Sequence, residues 1–131
     1  MIEYKRNEKI SVEAFRQVLI SSGINRPVND IPRLQAMLDN SNLIWTAWDG
    51  DRLVAVARSL TDFSFVCYMS DLAVASDYQK QGIGKKLIDK TKEDLGPTVA
   101  FLLLSAPSAM EYYPKVGLKN ISNAFFTPRK D

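Results

Sequence analysis

The segment from Val66 to Leu95 constrains this chain most, because a strand pattern runs into a glycine turn that opens directly into a helix. Val66-Cys-Tyr-Met-Ser-Asp-Leu-Ala-Val74 is rich in residues that favour extended backbone, whereas Ile83, Leu87, Ile88, Thr91 and Leu95 recur at helical spacing. Between them lies Gln79-Lys-Gln-Gly82-Ile-Gly84. Neither glycine has a Cβ, so the backbone can turn through positive φ and a ligand can approach it closely. The first turn of the helix leaves its N–H groups without partners at the positive end of the helix dipole, an arrangement that suits phosphate. Lys80, Lys85 and Lys86 add positive charge around it. Without a ligand, the same residues are a tight strand-to-helix turn with a solvated lysine face.

The helix stops at Gly96-Pro97, and Val99-Ala-Phe-Leu-Leu-Leu104 follows as an unbroken apolar run, which predicts a strand covered on both faces. Strand, right-handed crossover helix and parallel strand form a unit that brings the glycine turn and the carboxyl end of the next strand to one end of a sheet. Ser105 to Tyr113 then predicts a short helix stopped by Pro114, and Gly117-Leu118 leads to a final strand over Ile121 to Thr127.

Upstream, Ile2 to Lys5 predicts a first strand. Ser11 caps a helix through Ile20, with Val12, Phe15, Val18 and Leu19 on one face. Asp30 and Pro32 open a second helix through Leu38, the proline in the first turn where its missing N–H does no harm. Leu43–Trp48 and Leu53–Leu60 flank Asp49-Gly50-Asp51 as the two arms of a hairpin. Alternation places Trp45 and Trp48 on opposite faces.

A length of 131 residues is enough for one domain with a real core, so a single domain over residues 1–131 is expected. The chain has no apolar run long enough to span a membrane. Its net charge of +2 gives no reason to expect nucleic acid as a partner. Met1 to Arg6 lacks the apolar region of a signal peptide and the chain has one cysteine, so the cytoplasm is the expected compartment.

A P-loop needs Gly-x-x-x-x-Gly-Lys-Ser/Thr and the dinucleotide fingerprint needs Gly-x-Gly-x-x-Gly; neither is present. Gln79-Lys-Gln-Gly82-Ile-Gly84 instead resembles the Gln/Arg-x-x-Gly-x-Gly/Ala pyrophosphate loop of the GNAT superfamily, the acyl-CoA-dependent N-acyltransferases. Leu72-Ala-Val74, five to seven residues earlier, is similar to the Leu-x-Val strand end of that family. Ala109, Tyr113 and Gly117-Leu118 are spaced like its Asn-x-x-Ala-x-x-x-Tyr-x-x-x-Gly-Phe. Two departures stand out: Ala106 replaces the asparagine, often a CoA contact, and Leu118 replaces the phenylalanine. Ser108 or Ser105 is then the candidate to replace the lost contact.

The resemblance implies an α/β (α+β) three-layer fold, with a mixed central sheet of six or seven strands flanked by about four helices. It also implies acetyl-CoA as cosubstrate, a primary amine of a small molecule or peptide as acceptor, no metal, and often a homodimer. The backbone of Leu72, Ala73 and Val74 would pair with the pantetheine arm, the N–H of Leu72 would polarise the acyl oxygen, and Gln79, Lys80, Gln81, Gly82, Ile83, Gly84 and Lys85 would cradle the pyrophosphate. Tyr113 would protonate the departing thiolate; from spacing alone it reads as a core aromatic beside Tyr112.

The chain has no histidine, so the base is Asp71 or nothing obvious in the sequence, and Asp71 also reads as a hydrogen-bonded strand carboxylate. Cys67, with no histidine to activate it, reads as a buried inert thiol. Arg26 and Arg33 lie near where the family binds its acceptor, and each is either a surface charge or an attractant for an acidic substrate. A non-catalytic acyl-CoA-binding module of the same fold is the rival to an enzyme.

Overall fold

The computed structural model describes residues 1–130. Its elements run β1 (Ile2–Arg6), α1 (Val12–Ser22), α2 (Ile31–Asp39), β2 (Leu43–Asp49), β3 (Arg52–Thr61), β4 (Val66–Val74), α3 (Ile83–Leu95), β5 (Ala100–Leu102) and α4 (Tyr112–Lys115). One sheet carries the strands in the order β1-β2-β3-β4-β5. The first four pair antiparallel and β5 joins β4 in parallel, with α3 as the crossover. The mixed sheet and four helices agree with the fold expected from the sequence, but among the described residues the strands number five rather than six or seven.

Local chemistry sets the helix starts. The Ser11 hydroxyl accepts from the Ala14 N–H at 3.0 Å, and the Asp30 carboxylate accepts from the Arg33 N–H at 3.1 Å. Both are the predicted caps. Three layers follow from the two sides of the sheet: Phe15, Val18, Leu19 and Leu34 of α1 and α2 pack with Ile44 and Val56, while Ile83, Leu87 and Ile88 of α3 pack with Ala47, Val54 and Ala57 on the other face. Trp48 joins the first cluster and Trp45 the second, as alternation requires.

The C-terminal region departs from expectation. Residues 121–127 form no strand, and Ile121, Phe125 and Phe126 are exposed. The apolar run from Val99 gives only three residues of strand, with Ala100 and Leu102 exposed and Phe101 half-buried, because β5 is an edge covered on one face. In place of one helix over 105–113 there are a 3₁₀ turn (Pro107–Ala109) and the single turn α4. Pro114 lies inside α4 instead of ending it, since a proline in a first helical turn sacrifices no hydrogen bond.

Candidate active site

Two irregularities in β4 build the site. Against β3, the register passes from Arg58 opposite Asp71 to Ser59 opposite Met69, so Ser70 is an extra residue that makes a bulge. Against β5, pairing covers only Val66, Cys67 and Tyr68. β5 ends at Leu102, opposite Tyr68, so among the described residues the edge of β4 from Met69 to Val74 that faces away from β3 has no strand partner. Leu72, Ala73 and Val74 thus offer backbone groups along an open groove. The Ala73 side chain is buried in the core, so what it can present there is backbone.

The groove leads to the glycine loop. Gly82 caps α3 with φ of 82°, and the first helical bond across the turn runs from the Lys86 N–H to the Gly82 carbonyl at 3.0 Å. No backbone N–H from Gly82 to Lys85 donates to a protein acceptor among the described residues. Ile83 sends its side chain into the core and contributes only its N–H. The Gln79 side-chain amide donates to the Val74 carbonyl at 2.9 Å, tying the loop to the end of β4. Lys85 pairs with Asp89 one turn on at 2.7 Å, which raises its pKa, while Lys80 and Lys86 are exposed.

A clasp outside the motif steadies the loop. Arg52 grips Asp77 through both terminal nitrogens at 2.8 and 3.0 Å and lies over the Tyr78 ring, whose hydroxyl donates to Asp49. The β2–β3 hairpin thereby holds the segment that precedes the loop.

Tyr113 is half-buried against the α3-side core, and its ring meets Tyr112 edge-on at 5.2 Å between centroids. Burial pushes its pKa above the ordinary phenol value, the neighbouring Tyr112 adds to this, and the charge of Arg26 opposes it. The phenol is therefore protonated at neutral pH. The two serine candidates separate: the Ser105 hydroxyl is spent on the Ala106 carbonyl at 2.8 Å, whereas Ser108 is exposed in the 3₁₀ turn.

Asp71 is fully buried with both oxygens occupied. Arg26 Nε donates to one and Arg58 Nε to the other, each at 2.5 Å. Arg58 also reaches the Ser41 and Ser70 hydroxyls at 3.0 Å, and Arg26 the Ser70 carbonyl at 2.6 Å. This geometry commits each Asp71 oxygen to a guanidinium and keeps the carboxylate away from solvent. Arg58 was not among the residues singled out from sequence, although an arginine inside the apolar strand Leu53–Leu60 is a signal that a buried partner exists.

A family model, the acetyltransferase (GNAT) domain, matches residues 11–127. The chain belongs to the GNAT acetyltransferases. No curated protein matches it. Among solved structures, a GNAT-family acetyltransferase of Streptococcus pneumoniae TIGR4 is similar at 23% identity, with 99% of this chain and 100% of that one covered and a TM-score of 0.76. A methicillin-resistant Staphylococcus aureus protein of unknown function is similar at 20% identity, 98% and 100% coverage and a TM-score of 0.83. The aminoglycoside N-acetyltransferase AAC(6')-Iy, in complex with CoA, is similar at 12% identity, 100% and 96% coverage and a TM-score of 0.73. At these identities the likeness shows the fold. Among the described residues, no helix is long and apolar enough to cross a membrane.

Proposed function

We propose that this chain is a single-domain, cytoplasmic N-acetyltransferase that moves the acetyl group of acetyl-CoA to a primary amine by direct attack in a ternary complex. The observation that carries this is the unpaired edge of β4 followed closely by the unpartnered N–H groups at the start of α3, Gly82 to Lys85. The backbone of Leu72, Ala73 and Val74 pairs with the pantetheine arm as an added strand, and the loop and the α3 dipole take the pyrophosphate. Ser108 supplies the side-chain contact that Ala106 cannot.

In the transfer, the amine nitrogen attacks the thioester carbon and the carbonyl oxygen becomes an oxyanion held by the Leu72 N–H. Collapse breaks the C–S bond, and the Tyr113 hydroxyl gives its proton to the leaving sulfur. The amine's proton passes to water, because Asp71 is committed to Arg26 and Arg58, and water returns a proton to the Tyr113 phenolate. Asp71 serves instead to hold the bulge beside Leu72.

A free-thiol assay with acetyl-CoA and a panel of amines tests the proposal. Amine-dependent release of CoA is expected. Tight CoA binding without release for any amine would leave an acyl-CoA-binding module of the same fold.

A further inference from the structure

The Arg26–Asp71–Arg58 cluster holds two positive charges against one negative, and the surplus sits on Arg26. Arg58 is enclosed, its side chain 8% exposed, whereas that of Arg26 is 25% exposed. A guanidinium has five N–H donors. In Arg26 the Nε proton goes to Asp71, one terminal nitrogen donates to the Ser70 carbonyl and the other to the Asn25 carbonyl. One donor on each terminal nitrogen is uncommitted. The group is therefore held on three sides and keeps two N–H donors for a further ligand.

Its position matters as much as its charge. Arg26 comes from the connection between α1 and α2, on one side of the sheet, and lies against Ser70, two residues from Leu72. Tyr113 belongs to the opposite layer, with α3. The charge of Arg26 is nonetheless felt at the Tyr113 hydroxyl. Arg26 thus stands at the β4 bulge, beside the stretch of backbone to which the thioester is assigned above. A simple cationic amine is repelled there.

We infer that Arg26 selects an acceptor that carries a carboxylate beside its amine, as a free amino acid does, and binds that carboxylate with its two uncommitted donors. This rests on the acetyl-transfer function proposed above, and it names the acceptor class of that same site. Preorganisation by Asp71 and Ser70 means that the fork pays no ordering entropy when the carboxylate arrives.

The experiment compares L-amino acids with their C-terminal amides in the free-thiol assay, and by calorimetry on the CoA-loaded protein. The wild type is expected to prefer the acid over the amide by about 10- to 100-fold in kcat/KM, mostly through KM. Arg26→Gln is expected to bring that ratio close to one, while Arg33→Gln, on the exposed face of α2, keeps it. Should Arg26→Gln not fold, Arg26→Lys keeps the charge without the fork and is expected to lower the ratio; an unchanged ratio overturns the inference. Equal use and equal binding of acids and amides by the wild type also overturn it, whatever the variants do. Selective binding of acids with no CoA release would support the Arg26 site and refute acetyl transfer.

Discussion

The Tyr112 hydroxyl lies over the helix-opening Gly84, so that a Cβ added to that glycine would stand 2.9 Å from it. Gly84 has no unusual backbone angle, and its neighbour is the far end of a ring that is 38% exposed and free to move. Gly84→Ala should therefore gain up to about 1 kcal/mol from helix propensity, less the cost of shifting Tyr112. Thermal melting is expected to show an unchanged or higher Tm, with CoA affinity kept within about threefold. A lower Tm together with lost CoA binding would mean that Tyr112 cannot yield and that its hydroxyl is part of the site.

Gly82 presents the opposite case. Its φ of 82° is strained for any side chain, yet nothing lies within 4 Å of where a Cβ would point. Gly82→Val should cost about 1–2 kcal/mol in backbone strain and place a branched side chain in the open space assigned to the pyrophosphate. Calorimetry should show CoA affinity reduced at least about tenfold in a protein that still melts cooperatively. Equal affinity in wild type and variant would remove the loop from the site.

Asp71 offers a clean contrast between two roles. Removing a fully buried carboxylate that neutralises Arg58 and Arg26 leaves an uncompensated charge in the interior, so Asp71→Ala should lose about 3–5 kcal/mol of stability. Denaturant unfolding is the measurement. A variant with wild-type stability and a kcat lowered by orders of magnitude would instead restore Asp71 as the base.

What the sequence made legible was local. The caps at Ser11 and Asp30, the turn at Asp49-Gly50 and the strand–loop–helix around Gly82 are each set by residues a few positions apart, and each stands in the structure. The Asp71 cluster was not legible, because its partners are 45 and 13 residues away and the clasp exists only once β4 lies against β3 and α1 has crossed the sheet. The segment Ile121–Thr127 misled for a related reason. A strand exists only beside another strand, and an apolar pattern of seven residues does not say whether a neighbour is available.

That segment motivates a proposal about assembly. The outer edge of β5 is unpaired among the described residues, Leu102 and Leu104 beside it are exposed, and Phe125 and Phe126 are 100% and 66% exposed. So much exposed apolar surface on a small chain is a liability for a monomer. Light scattering should report a homodimer rather than the 14.8 kDa chain at micromolar concentration. Phe125→Ser combined with Phe126→Ser should shift it to monomer; a wild-type monomer would refute the proposal.

Tyr113 carries the test of mechanism. Its hydroxyl makes no hydrogen bond to another described residue, and burial holds its pKa above the ordinary phenol value of about 10. The neutral phenol is the acid, so its contribution is complete at neutral pH and disappears only as the pH rises through that elevated value. Tyr113→Phe keeps the ring and its packing but removes the proton. kcat is expected to fall by roughly 10- to 1,000-fold, the smaller end applying where water can take over proton delivery. CoA affinity and Tm should change little, which a purely packing role does not distinguish from no effect at all, but which a loss in kcat does. In the wild type the alkaline limb set by this group should lie above pH 10, and Tyr113→Phe should abolish that limb. An unchanged kcat, measured where chemistry limits turnover, would hand the thiolate's proton to water and leave Tyr113 as a wall of the groove.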